Sequence, residues 1–400
     1  MIELEARLAE LRALGLQRRT RLVSGPQGPH IVLDGKPVLL LCSNNYLGLA
    51  DHPRVREAAA EAAMRWGVGA GASRLVSGTM TVHRRLEERL AAFKGRQSAL
   101  LFGSGYLANA GTIAALARPG DVIFSDELNH ASIIDGCRLS RADVFVYDHC
   151  DLEHLEWGIV KAEDRGALIA TDSVFSMDGD VAPLAEIVEL AQRYGLRTLV
   201  DEAHGTGALG PGGRGALAEA GLEDQVDVIV GTLGKALGSY GAFVACDEVM
   251  ARYLVNAART FIFSTALPPP AAAAALAALG VLEAEPRRVQ RLAANASALA
   301  SALGAEGFTV GSSRTQILPL VIGDAAQTMR ICELALRGGI FAQAIRPPTV
   351  PAMISRLRLA VMATHHEAEL AGAARTLAAA ARSAGFDPAR SARQLAAETR

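Results

Sequence analysis

The chain has 400 residues, half of them apolar, with 40 basic and 42 acidic side chains and a formal net charge of −2. That is enough for two ordinary domains with real cores, and the balanced charge, with no basic block, leaves no footprint for nucleic acid. The five cysteines (Cys42, Cys137, Cys150, Cys246 and Cys332) are odd in number and form no C-x-x-C pair, which excludes a disulfide framework or zinc ribbon; they read as small buried hydrophobes.

The opening segment, to about Thr20, carries Leu4, Leu8, Leu11 and Leu14 at helical spacing and reads as an amphipathic helix. It has neither the apolar core nor the cleavage site of a signal peptide, so the expected location is the cytoplasm. From about residue 98 short β-branched runs alternate with helical stretches. The runs are Ala99 to Phe102, Val122 to Phe124, Val144 to Tyr147, Ala167 to Ala170, Thr198 to Val200, Val228 to Val230 and Ala242 to Ala245. This rhythm predicts an α/β fold with a mostly parallel sheet sandwiched by helices.

Pro268, Pro269 and Pro270 then break the chain. The Ala-rich run Ala271 to Leu282 is too short for a membrane span, which needs about 20 apolar residues, and reads as a buried helix. A second helical pattern, a strand from Gln316 to Ile322, another helix and a strand from Arg356 to Ala360 predict a smaller α+β domain. The expected division is 1–45, an N-terminal helix and extended segment; 46–270, the large domain; and 271–400, the small one. The last dozen residues are polar enough to be disordered.

In open α/β sheets ligands bind at the carboxyl ends of the strands, and here those ends are rich in chemistry. Gly103-Ser104-Gly105-Tyr106 follows the first run and opens a helix, where free backbone N–H groups suit an anion. Asn129-His130, Thr171 to Asp180, Asp201-Glu202-Ala203-His204 and Gly231-Thr232-Leu233-Gly234-Lys235 follow later runs. Taken singly, an Asp or His in such a place is commonly a helix cap. Lys235, however, is one of only four lysines and lies among apolar and glycine residues. Burial there would favour the free amine that Schiff-base chemistry needs.

A phosphate site, an aspartate, two histidines and an amine at neighbouring strand ends are together what pyridoxal phosphate (PLP) demands. The competing readings are weaker. Gly103-x-Gly105-x-x-Ala108, with Asp121 or Asp126 downstream, fits a loose dinucleotide fingerprint, but an NAD(P)-dependent oxidoreductase gives Lys235 no role. A P-loop fails because Ile229 replaces its first glycine and Ala236 follows the lysine. Asp148-His149-Cys150 with His154 lacks metal-site spacing and reads as a solvated turn, so no metal is expected. A non-enzymatic scaffold gives these groups no reason to gather at strand ends.

Six segments resemble the α-oxoamine synthases, fold-type I PLP enzymes that condense an amino acid with an acyl thioester. They are Ser43 to Leu49, Gly71 to Gly78, Leu128 to Ser132, Ser173 to Asp180, Asp201 to Gly207 and Gly231 to Lys235. The likeness runs from about residue 18 to 370. Phe261 to Pro269 and Ile345 to Pro351 resemble the biotin-pathway branch of that family, which joins L-alanine to a pimeloyl thioester of coenzyme A or acyl carrier protein; the 2-amino-3-ketobutyrate, 5-aminolevulinate and serine palmitoyltransferase branches, with related but differing segments there, are the alternatives.

By position, the resemblance implies that Lys235 binds the cofactor's aldehyde as an imine, Asp201 pairs with its pyridine nitrogen and His130 stacks on its ring. Ser176 and His204 would bond the phenolic oxygen. The backbone at Gly105 and Tyr106 and the Thr232 hydroxyl would hold the phosphate, helped by Ser264 and Thr265 of a second subunit in a homodimer. Arg18, with Arg19 as the other register, Arg346 and Thr349 would contact substrate.

Overall fold

The computed structural model describes residues 3–389. The disorder expected of the last dozen residues therefore falls almost wholly outside the described residues. In chain order the strands are β1 (Val23–Ser24), β2 (His30–Leu33), β3 (Lys36–Leu40), β4 (Ser98–Phe102), β5 (Val122–Asp126), β6 (Asp143–Tyr147) and β7 (Gly166–Asp172). They continue with β8 (Arg197–Asp201), β9 (Val228–Thr232), β10 (Ala242–Cys246), β11 (Ile317–Gly323), β12 (Ile340–Phe341), β13 (Gln343–Ile345) and β14 (Ser355–Ala360).

The chain divides into two units. The larger comprises Leu47–Ser176 and Asp180–Val289; the smaller comprises the residues up to Tyr46, Met177–Gly179 and the residues from Gln290 on. The transitions after Tyr46 and Val289 compare with the sequence-based divisions at 45/46 and 270/271. Two contacts account for the difference. The helix Pro269–Ala284 packs against the helices Pro53–Trp66 and Thr81–Phe93 of the larger unit, and it buries Ala272, Ala275, Leu279 and Leu282 in doing so. The N-terminal strands belong with the C-terminal part because β3 pairs in parallel with β12.

All seven runs read from the sequence form one sheet in the larger unit, in the order β4-β10-β9-β8-β7-β5-β6. Strands β5, β7, β8 and β9 run parallel to one another and are almost continuously buried, as both faces of a helix-covered parallel sheet require. Leu168, Leu199, Val228, Val230 and Val244 lie in its core, and the edge strand β6 leaves Val144 and Val146 exposed.

The exception to parallel order is β10, antiparallel to both β4 and β9. Its reversal has a functional consequence. The connection 233–241 turns back at the carboxyl end of β9 instead of crossing to the other end of the sheet, so it stays beside the carboxyl ends of β5, β7 and β8.

In the smaller unit, β11, β14 and β13 form an antiparallel sheet, and β1, β2, β3 and β12 a second small sheet whose core is Ile31, Leu33, Val38, Leu40 and Met362. The expected opening helix is shorter than its leucine pattern, covering only Leu4–Ala13. It stops where Gly15 enters the left-handed region at φ 66°, and Leu4, Leu8 and Leu14 stay exposed. No helix among the described residues is long and apolar enough to cross a membrane.

Candidate active site

In the larger unit the loops after β8 and β9 bring His204 and Lys235 together at the carboxyl ends of these strands, next to Asp201 at the end of β8. Asp201 ends β8 and is 3% exposed. Its Oδ1 accepts from the backbone N–H of Ala203 at 2.7 Å and its Oδ2 from Asn109 Nδ2 at 2.6 Å, which fixes the carboxylate in orientation. Three residues on, buried His204 places Nε2 2.9 Å from Nζ of Lys235. The two loops meet because Gly207, at φ 80°, lets the chain after His204 approach Ala236; a Cβ there would lie 2.5 Å from the Ala236 Cβ.

His130 precedes the helix Ala131–Ser140. Its backbone N–H donates to Asp172 Oδ2 at 2.7 Å, and its Nδ1 lies 2.7 Å from the Ser132 hydroxyl. Ser132 also accepts from Asn109 at 2.9 Å, so Asn109 links the His130 support to Asp201. Partial burial lowers the His130 imidazole below its ordinary pKa; the Asp201 charge opposes this and the Lys235 charge adds to it. The His130 side chain, on an exposed residue, is open to stacking.

The anion end lies at the helix Gly105–Leu116. Ser104 caps it by accepting from the Leu107 N–H at 3.2 Å, which leaves the first-turn donors beside Gly105 and Tyr106 free of that cap. Thr232, at the end of β9, packs so close that a Cβ on Gly105 would lie 2.8 Å from its methyl carbon. The glycine is needed for that approach. Tyr106 is 44% exposed and its hydroxyl donates to Asp135. Ser176 is half-buried in the loop after β7, Ser264 is half-buried and Thr265, bridged to Ser73, is exposed.

These residues fit PLP. A dry carboxylate for a pyridinium, an amine in contact with an imidazole, and a glycine-threonine cradle at a helix start match its three ends. The orphaned Oδ1 of Asn109, beside the Asp201 carboxylate, is a buried polar atom awaiting a donor.

In the smaller unit the guanidinium of Arg18, not its neighbour Arg19, reaches the Thr349 hydroxyl, at 3.4 Å. Arg346 donates to the Gln17 carbonyl at 2.9 Å. Burial and the neighbouring Arg18 charge lower Arg346 from the ordinary guanidinium value.

Three features escape the sequence reading. Lys94 and Glu202, both fully buried, pair at 2.6 Å although 108 positions apart. Asp172 lies beside Asp201 in the β7–β8 register, and burial together with the Asp201 charge pushes its carboxyl well above the usual range. Arg356 and Arg358 of β14 are buried in the smaller unit; Arg356 pairs with Asp178, and Arg358 donates to Asn44 Oδ1 at 3.2 Å and the Tyr46 hydroxyl at 3.3 Å. Buried arginines at alternate strand positions, in Ser-Arg-Leu-Arg-Leu, were the available signal.

Two expectations need correction. The turn at 148–150 is not merely solvated: His149 Nδ1 meets buried Asp126 at 2.9 Å and its Nε2 meets Asp180 at 2.6 Å. Burial alone would depress this imidazole, but its bonds to Asp126, Asp180 and Cys150 push it up to about 12. The donor atoms of Asp126, His149 and Cys150 lie within 4.8 Å of one another. Nor are all the cysteines buried: Cys137, Cys246 and Cys332 are, while Cys42 and Cys150 are only half-buried.

Comparison with known proteins agrees with this geometry. Residues 36–377 match the family model "Aminotransferase class I and II". An 8-amino-7-oxononanoate synthase of Citrifermentans bemidjiense is 53% identical over 378 residues, covering 93% of this chain and 95% of the relative. One from Geobacter metallireducens is 52% identical, with 94% and 97% covered. Among solved structures, SPT with PLP has a TM-score of 0.91 at 34% identity, covering 96% of this chain and 97% of that one. An 8-amino-7-oxononanoate synthase from Francisella tularensis has a TM-score of 0.75 at 27% identity, covering 86% and 98%.

Proposed function

Because the chain belongs to the aminotransferase class I and II family, within its α-oxoamine synthase group, and is a PLP-dependent acyltransferase, we propose that it performs the reaction of an 8-amino-7-oxononanoate synthase. L-Alanine and a pimeloyl thioester condense with loss of carbon dioxide and the thiol, a step of biotin biosynthesis. The observation that carries this reading is near full-length identity above 50% to several such synthases, joined to the contact between Lys235 and His204.

When bound, PLP supplies the electron sink for a carbanion at the alanine α-carbon. The chain's residues do the rest. Lys235 Nζ would hold the cofactor through its aldehyde carbon and, as a free amine, would take the α-proton as general base. Asp201, dry and fixed by Ala203 and Asn109, keeps a proton on the pyridine nitrogen. His130 stacks on the ring, and His204 and Ser176 bond the phenolic oxygen side.

The backbone at Gly105 and Tyr106 and the Thr232 hydroxyl hold the phosphate. Ser264 and Thr265 of a second subunit complete its shell, in a cytoplasmic homodimer. Arg18, Arg346 and Thr349 bind the acyl substrate; the 3.4 Å contact of Arg18 with Thr349 favours Arg18 over Arg19 for this role.

Mass spectrometry of a reaction containing the PLP-loaded protein, L-alanine and pimeloyl-CoA tests the reading. It predicts 8-amino-7-oxononanoate and free thiol in equal amounts. Product from L-serine and palmitoyl-CoA, with none from the first pair, would overturn it.

A further inference from the structure

The turn at 148–150 has no part in the chemistry above, yet it sits between two segments that do. His149 follows β6, Asp126 ends β5, and Asp180 lies in the loop that leaves β7. That loop is a small hairpin. Val174 pairs with Val181, the Phe175 N–H donates to the Asp180 carbonyl at 3.1 Å, and Ser176 opens the turn between them.

His149 grips the hairpin at its base. Its Nε2 lies 2.6 Å from Asp180 Oδ2, and its ring stands perpendicular to that of Phe175, the residue before Ser176, with centroids 4.3 Å apart. Its Nδ1 lies 2.9 Å from Oδ1 of buried Asp126. Asp126 is itself a firm anchor: Oδ1 also accepts from the Leu128 N–H at 2.8 Å, Oδ2 from the Cys150 N–H at 2.9 Å, and its carbonyl from the Asn129 N–H at 3.2 Å. These bonds shape the turn that ends at His130. One imidazole therefore fastens the segment carrying Ser176 to the segment carrying His130.

The fastening is electrostatic as well as geometric. Burial works against a proton on the His149 ring, but its bonds to Asp126, Asp180 and Cys150 push its pKa up to about 12. Charge-assisted bonds at both ring nitrogens are stronger than neutral ones and fix the ring's orientation. Among the described residues Asp180 forms no ion pair except with His149, and its Oδ1 is buried with no hydrogen-bond partner. Without the imidazole this carboxylate would lose its compensation, and the base of the hairpin would shift to find water.

We propose that His149 is a positioning residue for the cofactor site: by bonding Asp180 and Asp126 at once, it sets the Ser176 hydroxyl against the phenolic oxygen, with the Asp126 turn as its anchor. The inference rests on the placement of PLP in the reading above, and His149 acts through Ser176 without touching cofactor or substrate itself.

Titrating the absorbance of the bound cofactor against pH tests it apart from turnover. A hydroxyl donating to the phenolic oxygen stabilises its negative charge, and so lowers the pH at which the nitrogen shared by Lys235 and the cofactor loses its proton. PLP-loaded His149→Gln is predicted to raise that midpoint by about one pH unit and to lower kcat about tenfold, with the KM for pimeloyl-CoA unaltered. Ser176→Ala raises the midpoint likewise. The double variant His149→Gln/Ser176→Ala rises no further than Ser176→Ala alone, because both changes act through one hydroxyl. Asp180→Asn, which weakens the same bond from the other side, moves the midpoint in the same direction and carries the test should His149→Gln not fold. An unchanged midpoint in the His149 and Asp180 variants, or shifts that add in the double variant, would overturn the proposal. An unchanged midpoint where the wild-type protein makes 8-amino-7-oxononanoate would remove this inference alone; a raised midpoint where it makes none would remove the functional reading alone.

Discussion

Nζ of Lys235 lies 2.9 Å from Nε2 of His204. The contact joins the loop after β9 to the loop after β8, and it exists because antiparallel β10 returns the chain at the carboxyl end of the sheet. Removing this amine removes both the cofactor's attachment and the base. Lys235→Ala is predicted to lose turnover by more than about 10³-fold together with the visible absorbance of the bound cofactor. Steady-state rates and an absorption spectrum check both; a variant with near-normal turnover contradicts the role.

Asp201 is held by two hydrogen bonds in a dry site, and its charge is its contribution. Asp201→Asn keeps the shape and removes the charge. It is predicted to bind PLP but to lose roughly 3 kcal/mol of transition-state stabilisation, about a hundredfold in kcat. An unchanged kcat, with PLP bound in full, goes against the assignment.

Lys94 and Glu202 form a fully buried ion pair, and Glu202 Oε1 also accepts from the Leu217 N–H at 2.9 Å. Lys94→Met strands the carboxylate and is predicted to cost about 3–5 kcal/mol of stability. The double variant Lys94→Met/Glu202→Gln should recover a large part of that loss in thermal unfolding. A double variant no better than the single one refutes the pairing as the cause.

The His149 imidazole, raised to about 12 in the folded chain by Asp126 and Asp180, titrates far lower when unfolded. Its folded-state pKa is raised, so its stabilisation is complete below the unfolded value of about 6.5 and is lost progressively as pH climbs toward the folded one. His149→Asn is predicted to cost about 1–3 kcal/mol near pH 6 and distinctly less near pH 10. Unfolding curves of both proteins at the two pH values decide it; a cost that grows with pH contradicts the sign.

The seven strands of the larger sheet are legible because each is a short apolar run, and four of them, β5, β7, β8 and β9, close on the polar residues Asp126, Asp172, Asp201 and Thr232. Lys235 stood out through its apolar setting. The direction of β10 was not legible, since an apolar run reads the same in either orientation. The pairing of His149 with Asp126 and Asp180 spans 23 and 31 positions, and that of Lys94 with Glu202 spans 108. Such contacts follow from strand order and carry no local pattern. The opening leucines misled for a related reason: helical spacing marks a face, and along Leu4–Ala13 nothing within the described chain buries it.

The most direct check is the absorption spectrum of the PLP-loaded protein with L-alanine, glycine or L-serine added in turn. L-Alanine alone is predicted to shift the cofactor band of the wild-type protein. A shift with glycine or L-serine but none with L-alanine would contradict the account.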